Sequence, residues 1–169
     1  MRPTTHMEVV MKKLAGVVVV FALGVAVGTF VAPDVLQAQQ QGQLGTAAEA
    51  KAMLEKAVVA VKADKAKALA MFNNGEGGFK DRDLYPFCFN SGDGKVNATA
   101  AKNLIGTDVR ALKDKTRKAF GEDLYRAAQK ETVTEVSYMC PRPGTDTPVE
   151  KISFVTKVGD LGCGVGYYK

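Results

Sequence analysis

Along most of the chain, hydrophobic positions change period in a way that separates helix from strand. From Leu54 onward, Val58, Val61, Ala68, Leu69 and Phe72 fall at helical spacings and form one apolar stripe. Lys51, Lys56, Lys62, Lys65 and Lys67 occupy the other faces. Thr46-Ala47-Ala48-Glu49 opens this segment as a capping box, and Asn73-Asn74-Gly75 supplies a stop that Gly77-Gly78 prolongs. The pattern predicts one long amphipathic helix whose stripe packs on a sheet.

The period then drops to two. Leu84-Tyr85-Pro86-Phe87-Cys88-Phe89 is an aromatic-rich run that meets the turn cluster Asn90-Ser91-Gly92-Asp93-Gly94, and a short extended run, Lys95 to Thr99, follows. Aromatics flanking an Asp-Gly turn predict a hairpin. Pro86 has no N–H to give a ladder, so it belongs at a bulge, an edge or a non-bonded site. Thr107-Asp108 caps a short turn through Leu112. Asp114 is placed to cap a second helix, Lys115 to Lys130, with Phe120, Leu124 and Ala128 on one face.

Three extended runs complete the chain. In the first, Thr134, Val136, Tyr138 and Cys140 alternate with Val133, Glu135, Ser137 and Met139. Beyond the turn at Pro141-Arg142-Pro143-Gly144, Ile152, Phe154, Thr156 and Val158 alternate with Lys151, Ser153, Val155 and Lys157. After Gly159-Asp160, Leu161, Cys163, Val165 and Tyr167 alternate with glycines at 162, 164 and 166. A long helix, two strands, a helical crossover and three antiparallel strands make an α+β domain. The second helix and the segment 97–112 are expected to close a cavity on the sheet face away from the long helix.

The N-terminus has a different pattern. Lys12-Lys13 precede an uninterrupted apolar run from Leu14 to Ala32, which Pro33-Asp34 ends. That order reads as a signal peptide, residues 1–38, opening at Met11 and cut after Ala38. The run is long for such a segment, so an uncleaved membrane anchor is the alternative; both place the rest of the chain outside the cytoplasm, periplasmic or secreted. Residues 39–46 follow as a polar, flexible tether, and residues 47–169 form the domain.

Composition narrows the chemistry. The whole chain carries a formal charge of +5; removing the leader leaves 20 basic and 16 acidic residues, a balance of +4. Bases and acids are interspersed without an aromatic-basic stripe, so no nucleic-acid groove is expected, whereas the mild positive charge favours small anions. His6 is the only histidine and lies in the leader. Ser-His-Asp and Cys-His catalysis and His-containing zinc sites are thereby excluded from the domain. Asp81, Asp83, Asp93 and Asp114 lack calcium-loop spacing, and no C-x-x-C or haem motif occurs, so no cofactor and no enzymatic activity is expected.

With these pieces in order, the chain resembles a single Cache domain of the second type, the extracytoplasmic sensor module of bacterial chemoreceptors and sensor kinases. The resemblance runs from about Ala47 to Tyr168. It is carried by Ala68 to Asn73, Gly78 to Tyr85, Asp93 to Val96, Leu104 to Asp108, Leu112 to Asp114, Val136 to Pro143, Glu150 to Val155 and Gly164 to Tyr168. It implies a PAS-like five-stranded antiparallel sheet behind the long N-terminal helix, and a pocket for a small ligand, often a short organic acid. Two departures imply a remodelled pocket. Ala98-Thr99-Ala100 stands where the family usually has a His-Pro pair, and Met139 where it often has a tryptophan.

Lys151 and Ser153 share a strand face, and Tyr138 lies on the strand expected beside it. A buried lysine needs a counter-charge, so Tyr138, Lys151 and Ser153 are the first candidates to hold a ligand carboxylate. Tyr85, Tyr167 and Arg142 stand behind them. Against this, Lys151 can snorkel to a rim and pair with an acid such as Glu135, and the aromatics can serve as plain core. With PAS-like strand order, Cys88–Cys163 is the one plausible disulfide among three cysteines; two buried free thiols are the alternative. The sequence ends at Lys169 without an output domain. A signal is then expected to pass through a membrane receptor or sensor kinase, or through homodimerisation on the long helix. A structural or interaction domain that kept the fold and lost its ligand is the alternative function.

Overall fold

The computed structural model describes residues 44–169. The expected leader and the first part of the tether lie outside the described residues. The end of the tether is anchored rather than loose: Gly45 donates its N–H to Asp83 Oδ1 at 2.6 Å, and the Arg82 guanidinium donates to the Leu44 carbonyl at 3.3 Å.

Thr46 and Glu49 form the expected capping box of α1, Ala47–Ala63. The predicted single helix is two. Asp64 adopts an extended conformation, and its carboxylate accepts the Lys67 N–H at 3.0 Å, so it caps a second helix, α2, Lys65–Asn74. An acid that offers its side chain to the next turn competes with the helix that would run through it. The stripe survives the break, because Leu54, Val61, Ala68 and Phe72 are all buried. Gly75 ends α2 at φ 70°, a left-handed position suited to glycine.

The hairpin follows as β1, Pro86–Asn90, and β2, Val96–Ala98, with a register shift between Cys88 and Phe89. Asn90 Oδ1 accepts the N–H groups of Gly92 and Asp93 and so builds the turn. Two single-turn 3₁₀ segments, Lys102–Leu104 and Val109–Ala111, lead to α3, Phe120–Ala127. This helix is shorter than the predicted 115–130. Asp114 does not cap it. Its Oδ1 instead gathers the N–H groups of Thr116 and Lys118, and its Oδ2 accepts from Met139, tying the turn to the sheet. A Cβ on Gly121 would come within 1.9 Å of the Val109 carbonyl oxygen, so glycine is what lets α3 press onto the preceding 3₁₀ turn.

β3, Thr134–Pro141, β4, Pro148–Val158, and β5, Leu161–Tyr168, complete a five-stranded sheet in the order β2-β1-β5-β4-β3, with every recorded pairing antiparallel. The first strand is therefore central beside the last, and Cys88 stands directly opposite Cys163 in a disulfide; Cys140 stays free. One sheet face packs Cys88, Phe154, Cys163 and Val165 against Leu54, Ala57 and Phe72 of the helices. The other packs Phe89, Val136 and Val155 against Val109, Leu124 and Ala128. Among the described residues no helix is long and apolar enough to cross a membrane.

Candidate functional site

Strand register brings the central candidates together. Tyr138 and Tyr168 both stand opposite Lys151, on the strands to either side of it. Cross-strand partners share a face, so these three side chains form a row on the face away from α1. The row exists because the intervening position on β5 is glycine. A Cβ on Gly166 would lie 2.7 Å from both Lys151 Cε and Ser153 Oγ, so the lysine stem occupies the space a side chain there would need.

Lys151 is 5% exposed, and among the described residues its Nζ makes no ion pair or hydrogen bond. The expected alternative partner, Glu135, is exposed and stands opposite Phe154 instead. What the ammonium meets is aromatic: Nζ lies 5.1 Å from the Tyr85 ring centre and 4.5 Å from that of Tyr168. Such contacts contribute about 0.5–2 kcal/mol each. Burial pushes the lysine below its ordinary pKa, and the Asp83 carboxylate offsets part of that. Tyr138 pairs its hydroxyl with Ser153 Oγ at 3.0 Å, and Tyr168 donates to the Pro141 carbonyl at 2.6 Å. Burial raises the phenols of Tyr85, Tyr138 and Tyr168, which keeps them as O–H groups at neutral pH.

Lys151, Tyr85 and Tyr138 face a cavity of about 120 Å³ between the sheet and its cover. Tyr85, Tyr138, Cys140, Lys151 and Thr99 supply its polar side, and residues such as Phe87, Leu104, Val109, Leu112 and Leu124 make the remainder apolar. The 3₁₀ segments and α3 thus close the site as expected. Phe120 stacks on Tyr138 with centroids 4.2 Å apart, and the pair borders both this cavity and an adjoining crevice of about 190 Å³ lined by Lys113, Asp114 and Lys115. A larger hollow, about 560 Å³, is an open groove between α3 and β3; its Lys118 and Arg126 already pair with Asp123.

Two sequence candidates are corrected. Tyr167 faces the helices and stacks on Phe154 at 5.6 Å, because its strand partner is Ile152 rather than Lys151. Arg142 is exposed just past the end of β3 and is not part of the cavity wall, since the chain leaves the sheet there. The residue missed was Tyr168. The signal was present: it continues the glycine face of 162, 164 and 166, the face that lies beside Lys151 and Ser153. Cys140 was placed on the correct strand face but not recognised as a cavity wall.

Among curated proteins no match is found. Among solved structures, a methyl-accepting chemotaxis protein from Vibrio parahaemolyticus RIMD 2210633 is similar at a TM-score of 0.55 and 22% identity, covering 80% of this chain and 91% of that one. The periplasmic sensor domain of a chemotaxis protein gives a TM-score of 0.54 at 22% identity, covering 70% and 87%. A Cache chemosensory domain described for carboxylic acid recognition gives 0.56 at 18%, covering 80% and 96%. These likenesses show the fold. The family model described as Single Cache domain 2 matches residues 25–168, and the chain belongs to that family.

Proposed function

We propose that this domain senses a short organic anion outside the cytoplasm, binding it in the cavity beside Lys151. The observation that carries this reading is a lysine 5% exposed, without an ion pair among the described residues, on the wall of a hollow. An anion entering there gains a counter-charge in a weakly screened setting, and phenol hydroxyls stand ready to donate to it. The size of the hollow supports a small guest: it is slightly below the roughly 150 Å³ of an apolar cavity that takes up benzene. The mainly apolar wall favours a short tail over a second charge.

Lys151, Tyr138 and Tyr85 are the proposed contacts, with Ser153 holding Tyr138 in place and Tyr168 confining the lysine. The signal would leave through a membrane receptor or sensor kinase, or through a homodimer on α1. Thermal-shift measurements against short carboxylates test the reading, because a ligand preferring the native state raises its stability. A saturable rise in Tm with one acid, lost in Lys151→Met, is the expected result. No rise with any acid would favour the domain that lost its ligand, in which the two tyrosine rings alone satisfy the lysine.

A further inference from the structure

We propose that Lys151 captures a carbonyl compound covalently: a short α-oxo acid entering the cavity condenses with Nζ to a reversible imine. This rests on the binding reading above and names the ligand class more narrowly. A lysine becomes a nucleophile when its ammonium is desolvated and lacks a carboxylate to hold the proton. Lys151 meets both conditions, being 5% exposed with no acid in salt-bridge reach among the described residues. Burial lowers its pKa, whereas solvated lysines stay almost wholly protonated at neutral pH. The two rings beside Nζ hold the group in place; they favour its ammonium form, but the contact supplies no carboxylate to keep the proton once burial has weakened it.

The chemistry balances without an oxidant or reductant. Lys151 releases one proton to solvent, and its lone pair attacks the carbonyl carbon, forming the C–N bond. As the C=N bond forms, the amine's two N–H protons pass to the carbonyl oxygen, which leaves as water, and the imine nitrogen takes one proton back from solvent. The Tyr85 and Tyr138 hydroxyls on the same wall can relay a proton from nitrogen to oxygen and end the step as O–H groups. The imine nitrogen, once protonated, needs a counter-charge that the wall lacks. The α-carboxylate of the ligand supplies it, so an α-oxo acid is favoured over a plain aldehyde. The thiol of Cys140, on the same wall, would add to the carbonyl reversibly, but that adduct collapses instead of being fixed by hydride.

The experiment incubates the whole domain with glyoxylate and cyanoborohydride at neutral pH and locates the reduced adduct by peptide mass mapping. Lys151 is expected to be modified several-fold faster than exposed lysines such as Lys65, Lys67 and Lys115, because a larger share of a lysine whose pKa is lowered by burial is free amine at neutral pH. Mapping on the unaltered protein assigns the site, so nothing depends on a variant folding; Lys151→Arg should lose the adduct. An unmodified Lys151, or one modified no faster than the exposed lysines, overturns the proposal. Acetate cannot form an imine, so its effect on Tm separates the two readings. Stabilisation by acetate with no Lys151 adduct removes covalent capture and leaves anion binding standing.

Discussion

On one face of the sheet, Cys88, Cys163 and Val165 meet Leu54, Ala57 and Phe72, with a covalent bond across the two central strands. On the other face the same strand β5 presents glycines at 162, 164 and 166, and the neighbouring strands lay Phe89, Phe87 and Lys151 across the space they leave. One face gains stability from filling its volume. The other gives up volume along a row of glycines and leaves a lysine with no carboxylate in ion-pair reach among the described residues. A stable sheet locked on one side can carry an unfavourable group on the other, because native stability is a small surplus that must be supplied from somewhere. The difference teaches that two faces of one sheet can be built to opposite ends, and the proposed binding rests on the face that gives up volume.

The largest way to break this comparison is to unlock the packed face. Cys88 and Cys163 are 75 positions apart in sequence, and a loop of that length corresponds to about 4 kcal/mol of chain entropy. Cys88→Ala with Cys163→Ala is expected to lose roughly that amount in urea unfolding. A loss under about 1 kcal/mol would show that the helices alone hold the face. Leu54→Ala, 1% exposed, should follow at about 2–5 kcal/mol from the cavity it leaves. On the other face Gly166→Ala tests the opposite error, overfilling. Its new Cβ meets Lys151 Cε and Ser153 Oγ at 2.7 Å, so a loss of about 1–3 kcal/mol is expected, together with loss of any carboxylate-dependent rise in Tm.

Lys151 sharpens the comparison by pH. Its pKa is lowered in the folded state, so between that value and the ordinary 10.5 the unfolded chain binds more protons. Stability must therefore rise with pH through this window, the cost of burying the charge being fully present below it and absent above it. The difference between the wild type and Lys151→Met should shrink as pH climbs toward 10.5. A flat difference across the alkaline range would mean that the ammonium is not destabilised by its surroundings.

Much of this architecture was legible because alternation and capping are local. The register of β4 and β5 follows from Ile152, Phe154 and Val158 against Cys163 and Val165, and the hairpin follows from its Asp-Gly turn. What was not legible depended on contacts between distant parts. Asp64 breaks the helix with the apolar stripe unbroken around it, so periodicity gave no warning. Tyr167 and Tyr168 are adjacent, and choosing between them requires knowing which face of β5 the glycines open. Arg142 carried the right charge for an anion, but charge is silent about exposure; only the end of β3 takes it away from the cavity. Asp114 had the character of a helix cap, and its bond to Met139, 25 residues on, is what diverts it.

The smallest effect expected lies where the chain enters α1. Glu49 accepts the Thr46 N–H at 2.7 Å and the Arg82 guanidinium at 2.6 Å, and the backbone hydrogen bond leads the causes that hold its carboxyl down to about 2. A depressed carboxylate contributes stability that is present above its ordinary value of 4.5 and is lost as pH falls through about 2. Glu49 is half exposed, so solvent screens the pair and only part of that contribution survives. Glu49→Gln should keep the neutral hydrogen bond of the capping box and lose the charge, lowering Tm slightly at pH 7 and leaving it unchanged near pH 2. Because Arg82 also holds the Leu44 carbonyl and stands beside Asp83, which binds Gly45, this variant loosens the entry to α1 without touching either sheet face. If Tm instead drops equally at both pH values, the carboxylate acts by shape rather than charge, and the pairing with Arg82 contributes nothing to the helix start.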